Sequence, residues 1–156
     1  MRNINPKIKV GILGMASIAK RSFIPAIKKL NKEFIIVAIA SKTFSQKEID
    51  KEFKNIILYS SYEELISSKK IDAIYISLPN SYHYKWTKRA LDNNIHVICE
   101  KPLTCYFHET KILVELAIKN DLVLMETFQF RFHSQFQQIL KIIRNNEIGK
   151  LRSLKS

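Results

Sequence analysis

The stretch KVGILGMASIA, residues 9–19, decides how the first part of this chain folds. It begins with apolar residues that do not alternate with polar ones, which is typical of a strand buried on both faces of a sheet. Gly14, Ala16 and Ala19 follow, three positions with almost no side chain, and a helical periodicity begins beside them. The stretch therefore predicts a strand, a tight turn and a helix in direct succession.

The same order of apolar strand and periodic helix continues along the chain. Runs rich in Ile and Val predict strands over residues 7–13, 34–40, 56–58, 73–77, 95–99 and 122–125, and helices over 17–30, 46–53, 62–68, 82–93, 104–120 and 134–144. Pro25 predicts a break near residues 23–24 of the first helix. Because alternating strands and helices build right-handed units, we predict an α/β fold with a Rossmann-type, doubly wound parallel sheet.

Composition argues against several classes of function. The 156 residues carry a net charge of +12, but the charge is spread along the chain without a DNA- or RNA-binding motif, so we expect no nucleic-acid partner. No membrane-length apolar run and no signal-peptide pattern occur, so we expect no membrane partner and a cytoplasmic location. Cys99 and Cys105 lack further ligands at zinc spacing, so we predict reduced thiols and no metal.

The turn after the first strand matches a motif that binds dinucleotides. Gly14, Ala16 and Ala19 fill the three small positions of the fingerprint G-x-G-x-x-G/A. Such a turn lets the backbone approach a pyrophosphate at a helix N-terminus, and Ser17 and Ile18 complete it as candidate cofactor-binding residues. The methyl group of Ala16 stands where glycine is usual. A turn of small residues that binds no ligand is the alternative.

The end of the second strand indicates which dinucleotide is preferred. A carboxylate there would receive the ribose 2′-hydroxyl of NAD, but this chain carries Ser41 and Lys42. A hydroxyl and a cation suit a 2′-phosphate, so we predict NADP as the cofactor, with NAD as the alternative. An ordinary surface lysine remains the other interpretation of Lys42.

Four segments carry a resemblance to a known family: VGILGMASIA, DAIYISLPNSYHYKWTKRALDNNIHVICEKPLT, LVLMETFQFRFH and IGKLRS. In order and spacing they resemble the glucose–fructose oxidoreductase and inositol dehydrogenase (Gfo/Idh/MocA) family of NAD(P)-dependent oxidoreductases. The resemblance covers residues 7–156, and the P-N-x-x-H and E-K-P signatures are its most specific parts. Within the family, the segments look most like the branch that reduces a 3-keto-deoxyhexose on a dTDP carrier.

The resemblance implies roles for the loops after the fourth and fifth strands. Lys101 would be the catalytic lysine, aimed by Pro102, because a lysine can bond a carbonyl oxygen and relay a proton while hydride reaches carbon. His83 would be the second catalytic residue and a cofactor contact, near the nicotinamide or the substrate, with a satisfied histidine at a helix start as the alternative. The further expected cofactor contacts are Leu78, Pro79, Asn80, Glu100 and Arg131. Asn80 is equally suited to cap the following helix, and Arg131 to form a structural salt bridge.

The expected organisation is a cofactor domain followed by the start of a second one. Residues 1–125 would form the Rossmann domain, and residues 126–156 a connector and the first strand of a substrate domain, beginning after Gly149. The expected function is hydride transfer between NAD(P) and a hydroxyl or keto carbon of a sugar or nucleotide-sugar. A catalytically silent nucleotide-binding fragment, or half of a split enzyme, is the alternative. A homo-oligomer or a separate chain carrying the second domain would be the protein partner.

Overall fold

The computed structural model describes residues 6–42, 44, 46–47, 53 and 55–153. Within these residues six strands form one parallel sheet: β1 (Ile8–Leu13), β2 (Phe34–Ala40), β3 (Ile57–Tyr59), β4 (Ala73–Ile76), β5 (His96–Cys99) and β6 (Leu124–Glu126). Their order across the sheet is β3-β2-β1-β4-β5-β6. The chain therefore winds outward in both directions from β1, which confirms the predicted fold class and puts a switch point between β1 and β4.

Helices connect the strands as the alternation predicted. A π-helical segment (Ala19–Phe23) leads into α1 (Ile24–Lys29), and further along lie α2 (Tyr62–Ser67), α3 (Asn80–Asp92), α4 (Phe107–Lys119), a 3₁₀ helix (Gln129–Phe132) and α5 (Ser134–Arg144). The change from π- to α-helix between Phe23 and Ile24 confirms the break predicted from Pro25. Of the predicted helix 46–53, the structure describes residues 46, 47 and 53, and of these 46 and 47 are helical. No helix in the described part of the chain is both long and apolar enough to cross a bilayer.

Some element boundaries differ from the predicted ones. α3 begins at Asn80, two residues earlier than predicted, directly after Pro79 at the N-cap. α4 begins only at Phe107, because the Thr104 hydroxyl donates to the carbonyl oxygen of Tyr106 and holds a turn there. The strand expected after Gly149 is not formed by the described residues up to 153, where no neighbouring strand offers it hydrogen bonds.

The two faces of the sheet are covered differently. On one face Leu13, Ile76 and Val97 pack in a buried cluster that also contains residues of α2, α3 and α4. On the other face the register places Ile12 beside Tyr75, and Tyr75 beside Ile98, under the helices that follow β1. Because parallel strands all end at one edge, the loops that follow them meet there, and this edge contains the candidate site.

Candidate functional site

Two clefts open along the carboxyl edge of the sheet. The central cleft, about 620 Å³, is lined by Ala16, Ile18, Ser77, Leu78, Glu100, Lys101, Thr127, Phe128, Gln129 and Phe130. The side cleft, about 580 Å³, is lined by Ser41, Lys42, Phe44, Gln46, Leu58, Tyr59 and Ser60. The turn after β1 stands between them, because β1 lies between β2 and β4 in the sheet. This arrangement has room for two linked groups that meet at the turn.

The turn after β1 is fixed by its neighbours. Gly14 has a φ of +80°, and its N–H donates to the carbonyl oxygen of Ala40 at 2.9 Å. A Cβ atom at this position would stand 2.8 Å from the carbonyl oxygen of Ser77. The Ser77 hydroxyl donates to the Gly14 carbonyl oxygen at 3.0 Å. Both the left-handed backbone and the close approach of Ser77, which directly follows β4, therefore require glycine here.

Lys101 extends from a loop that is anchored on both sides. Before it, the Glu100 N–H donates to the Ile76 carbonyl oxygen at 3.0 Å. After it, the Leu103 N–H donates to the Glu126 carboxylate at 2.8 Å. The Lys101–Pro102 peptide bond is cis, and the Lys101 side chain is exposed at the central cleft. The structure thus presents an ammonium group from a fixed backbone.

The neighbouring charges of Glu100 and Lys101 do not pair with each other. No ion pair within 4.0 Å joins them, although both line the central cleft. The Glu100 carboxylate instead accepts a hydrogen bond of 2.6 Å from the hydroxyl of Tyr75, which is buried in β4. A carboxylate and a separate ammonium group therefore face the same space.

The structure places His83 inside the fold and not in the cleft. Its side chain is fully buried, and its two ring nitrogens contact the carbonyl oxygens of Leu78 and Pro102 at 2.8 and 2.7 Å. A residue that exchanges a proton with substrate, or touches a cofactor, needs a free atom in the cleft. This geometry argues against the expected direct contacts of His83. The ring instead joins the loop after β4 to the loop after β5.

Four other residues with expected side-chain contacts line neither cleft: Pro79, Asn80, Arg131 and Ser17, which is exposed in the turn after β1. Asn80 and Pro79 are exposed at the start of α3, and Asn80 forms no side-chain cap, so the capping alternative is not realised. Arg131 is exposed in the 3₁₀ helix. It forms no ion pair in the described part of the chain, so the structural salt bridge is not realised either.

The side cleft contains the pair expected to select the dinucleotide. Ser41 is buried at its base, and Lys42 is exposed, with its Nζ 5.9 Å from the centre of the Tyr62 ring. A second cation lies near, because Lys20 Nζ stands 4.0 Å from the centre of the Phe44 ring. Lys42 and the Ser41 hydroxyl can hold an anionic group in this cleft, and Lys20 adds positive charge through its contact with Phe44, which also lines it.

Sequence reasoning missed several residues of the central cleft. They are Ser77, Thr127, Phe128, Gln129 and Phe130. Thr127 directly follows β6, as Ser77 follows β4, so its place at the edge could have been inferred from the end of the last strand. The Thr127 hydroxyl is buried without a hydrogen-bond partner in the described chain, although the residue lines the cleft.

The two cysteines have no part in the clefts. Burial raises the pKa of Cys99 to about 12, so its thiol stays protonated near neutral pH. Cys105 is free and exposed in the turn before α4. In the described ranges, no group of three or more His, Cys, Asp and Glu side chains is arranged to hold a metal ion.

Known proteins match this chain in sequence. D-xylose 1-dehydrogenase (NADP(+)) 2 from Haloferax volcanii is 35% identical over 146 residues, covering 94% of this chain and 44% of its own length. A dTDP-3,4-didehydro-2,6-dideoxy-alpha-D-glucose 3-reductase from Actinomadura kijaniata is 34% identical, covering 97% of this chain and 45% of its own length. The chain thus spans less than half the length of the curated relatives it matches.

Solved structures match it as well. An oxidoreductase from Thermotoga maritima superposes with a TM-score of 0.86 at 33% identity, covering 93% of this chain and 45% of its own. A 3-ketoreductase from Actinomadura kijaniata, in complex with NADP and TDP-benzene, has a TM-score of 0.84 at 33% identity, covering 94% of this chain and 45% of its own. A family model described as "Oxidoreductase family, NAD-binding Rossmann fold" (GFO_IDH_MocA) matches residues 8–128. The chain belongs to this oxidoreductase family, as its motifs had indicated.

Proposed function

We propose that this chain is the cofactor-binding part of an NADP-dependent oxidoreductase acting on a sugar or nucleotide-sugar. Residues 1–125 would form the cofactor domain, and residues 126–156 the connector toward a substrate domain. The observation that carries the proposal is the pair of clefts on either side of the Gly14 turn, with Lys101 in the central one. A dinucleotide has two nucleoside halves joined by a pyrophosphate, which matches two clefts joined at a turn.

The residues present fit such a cofactor. The left-handed Gly14 leaves the first turn tight, and the exposed Ala16 puts only a methyl group at the cleft. The Thr127 hydroxyl is buried and has no hydrogen-bond partner among the described residues, and because the residue lines the cleft, this hydroxyl is a candidate donor to a ligand. In the side cleft, Ser41 and Lys42 suit the 2′-phosphate that distinguishes NADP from NAD.

The chemistry assigned to the chain's own residues is positioning and proton transfer. A bound nicotinamide supplies or accepts the hydride. The Lys101 ammonium group would donate a hydrogen bond to the substrate oxygen, stabilise negative charge that develops there, and give or take the proton. The anchored backbone on both sides of Lys101 keeps this donor in place without a cost of ordering the loop.

The substrate class rests on the relatives. One matched protein is named as a xylose dehydrogenase using NADP, and others as reductases of a dTDP-linked deoxy sugar. These names describe proteins of about twice this length. We therefore assign to this chain a sugar or nucleotide-sugar as the substrate class, oxidised or reduced at a hydroxyl or keto carbon.

Titration of the chain with NADPH, followed by cofactor fluorescence, tests the proposal. We expect saturable binding that Ala16→Asp weakens about tenfold or more, because a carboxylate at the turn repels the pyrophosphate. Ala16 is exposed, so this change leaves the fold intact. The control Asn31→Asp adds the same charge at an exposed site outside both clefts and leaves binding unchanged. Absence of binding to the unaltered chain would refute the proposal.

A second candidate function is nucleotide binding without turnover. Phe130 and Phe132 favour it, because they are 54% and 71% exposed and so present apolar surface in the segment after β6. Such a chain would act alone as a silent fragment or pair with a separate chain that carries a second domain. NADPH binding without oxidation by any keto-sugar tested supports this candidate, and steady turnover by the isolated chain excludes it.

A further inference from the structure

The carboxylate of Glu100 is held by a buried tyrosine. The Tyr75 hydroxyl donates to Glu100 Oε1 at 2.6 Å. Tyr75 is only 1% exposed, and its ring lies nearly parallel to the ring of Phe23, with the centres 3.8 Å apart. The phenol is therefore fixed by the sheet below and by the π-helical segment above.

Packing of the core does not explain why residue 75 carries a hydroxyl group. Phenylalanine would fill the same place between Ile12 and Ile98 and would stack on Phe23 without needing a polar partner. A hydrogen bond of this length to a carboxylate is of the short, charge-assisted kind. Burial, followed by this bond to Glu100, raises the pKa of Tyr75, so the hydroxyl remains a donor near neutral pH.

The bond also keeps two adjacent charges apart. Glu100 and Lys101 are neighbours in sequence and line the same cleft, yet no ion pair within 4.0 Å joins them. A freely rotating glutamate beside an ammonium group would reach it and weaken both groups as partners for a ligand. With one oxygen engaged by Tyr75, Glu100 retains acceptor capacity toward the cleft.

We infer that Tyr75 is a positioning residue, which holds the Glu100 carboxylate in the central cleft to accept hydrogen bonds from ligand hydroxyl groups and keeps it from pairing with Lys101. The chemical class recognised in this way is a vicinal diol, such as a ribose. The inference rests on the proposed dinucleotide function. It adds to that function a role for Tyr75, a residue of β4 that does not itself contact the ligand.

A double-mutant cycle on the full chain tests this role, with NADPH affinity as the readout and a thermal melt for folding. We expect Tyr75→Phe to weaken NADPH binding about tenfold while the chain stays folded, because the ring and its stacking remain. Glu100→Gln also weakens binding, and adding Tyr75→Phe to it causes no further loss. The control Tyr84→Phe removes a hydroxyl from a half-buried tyrosine on the opposite face and changes nothing.

Other outcomes distinguish a failure of this inference from a failure of the proposed dinucleotide-binding function. Unchanged NADPH affinity in Tyr75→Phe overturns the inference alone, as do losses in the two single variants that simply add in the double variant. If the Tyr75→Phe chain no longer folds, the hydroxyl group is needed for the stability of the core, and this result also overturns the inference. Failure of the unaltered chain to bind NADPH overturns the proposed function, and the inference with it.

Discussion

Lys101 and Lys42 are the two side chains on which the proposed chemistry depends most directly. Each is exposed at its own cleft, and each extends from a loop at the carboxyl end of a strand. Their surroundings differ. The backbone on both sides of Lys101 is anchored, whereas the Lys42 ammonium group lies near the ring of Tyr62. The two lysines should therefore affect different measurements.

Lys101→Met should strongly lower the rate of hydride transfer but keep cofactor binding. The methionine retains the length of the side chain and removes the proton donor, which typically lowers turnover by about 10²–10⁴-fold. The measurement compares turnover with NADPH affinity in a chain joined to a substrate domain, with Lys119→Met, an exposed residue at the end of α4, as the control. Turnover close to that of the unaltered protein would remove Lys101 from the mechanism.

Lys42→Glu should change which dinucleotide is preferred. Reversing this charge beside Ser41 repels a 2′-phosphate and offers an acceptor to a 2′-hydroxyl, so NADPH affinity falls by about tenfold while NADH affinity holds or rises. Lys70→Glu makes the same charge change before β4, at the opposite edge of the sheet, and should leave the ratio of the two affinities unaltered. An unchanged ratio in Lys42→Glu would mean that Lys42 is an ordinary surface residue.

Among the elements, the loops that follow β4, β5 and β6 behave as one connected unit. His83, in the first turn of α3, contacts both the Leu78 and the Pro102 carbonyl oxygens. Glu126, the last residue of β6, receives the Leu103 N–H from the loop after β5. The position of Lys101 is therefore set by residues of α3 and β6 as well as by its own loop.

His83→Gln should destabilise the chain by about 2–4 kcal/mol, because the flexible glutamine side chain does not fill the place of the buried ring and leaves at least one of the two carbonyl oxygens without its contact. The measurement is urea unfolding. His108→Gln, at an exposed site in the first turn of α4, serves as the control and should stay within about 0.5 kcal/mol. If His83→Gln weakens NADPH binding and leaves the free energy of unfolding unchanged, His83 is instead a residue that contacts the cofactor.

Across the whole molecule, the segment after β6 leaves much apolar surface uncovered. Phe128 and Phe136 both pack edge-on against Phe130, and α5 has no buried residue. Phe132, 71% exposed, borders a small cavity of about 250 Å³ over Ile98 and Met125. Contiguous apolar surface of this kind favours association with another protein surface.

The chain should therefore self-associate as its concentration rises, and Phe132→Asp should shift the association to higher concentration. A charge in the uncovered apolar segment must be desolvated when two copies meet. Sedimentation velocity over a concentration series measures this effect. Phe107→Asp, at an exposed position on α4, is the matched control. Equal shifts in the two variants would show that the segment after β6 is not the contact surface.

The sequence by itself determined the sheet, the order of its elements and the edge at which the loops meet. Apolar runs, helical periodicity and the small residues at Gly14 and Ala16 are local signals, and the edge follows from parallel strands. The tertiary structure alone decided how the side chains at that edge are used. The hydrogen bond from Tyr75 to Glu100 joins residues 25 positions apart, and the contact of His83 with Pro102 joins residues 19 positions apart, so that Lys101 is exposed at the cleft while His83 is buried. Contacts between residues so far apart depend on strand register and burial, which no single stretch of sequence specifies.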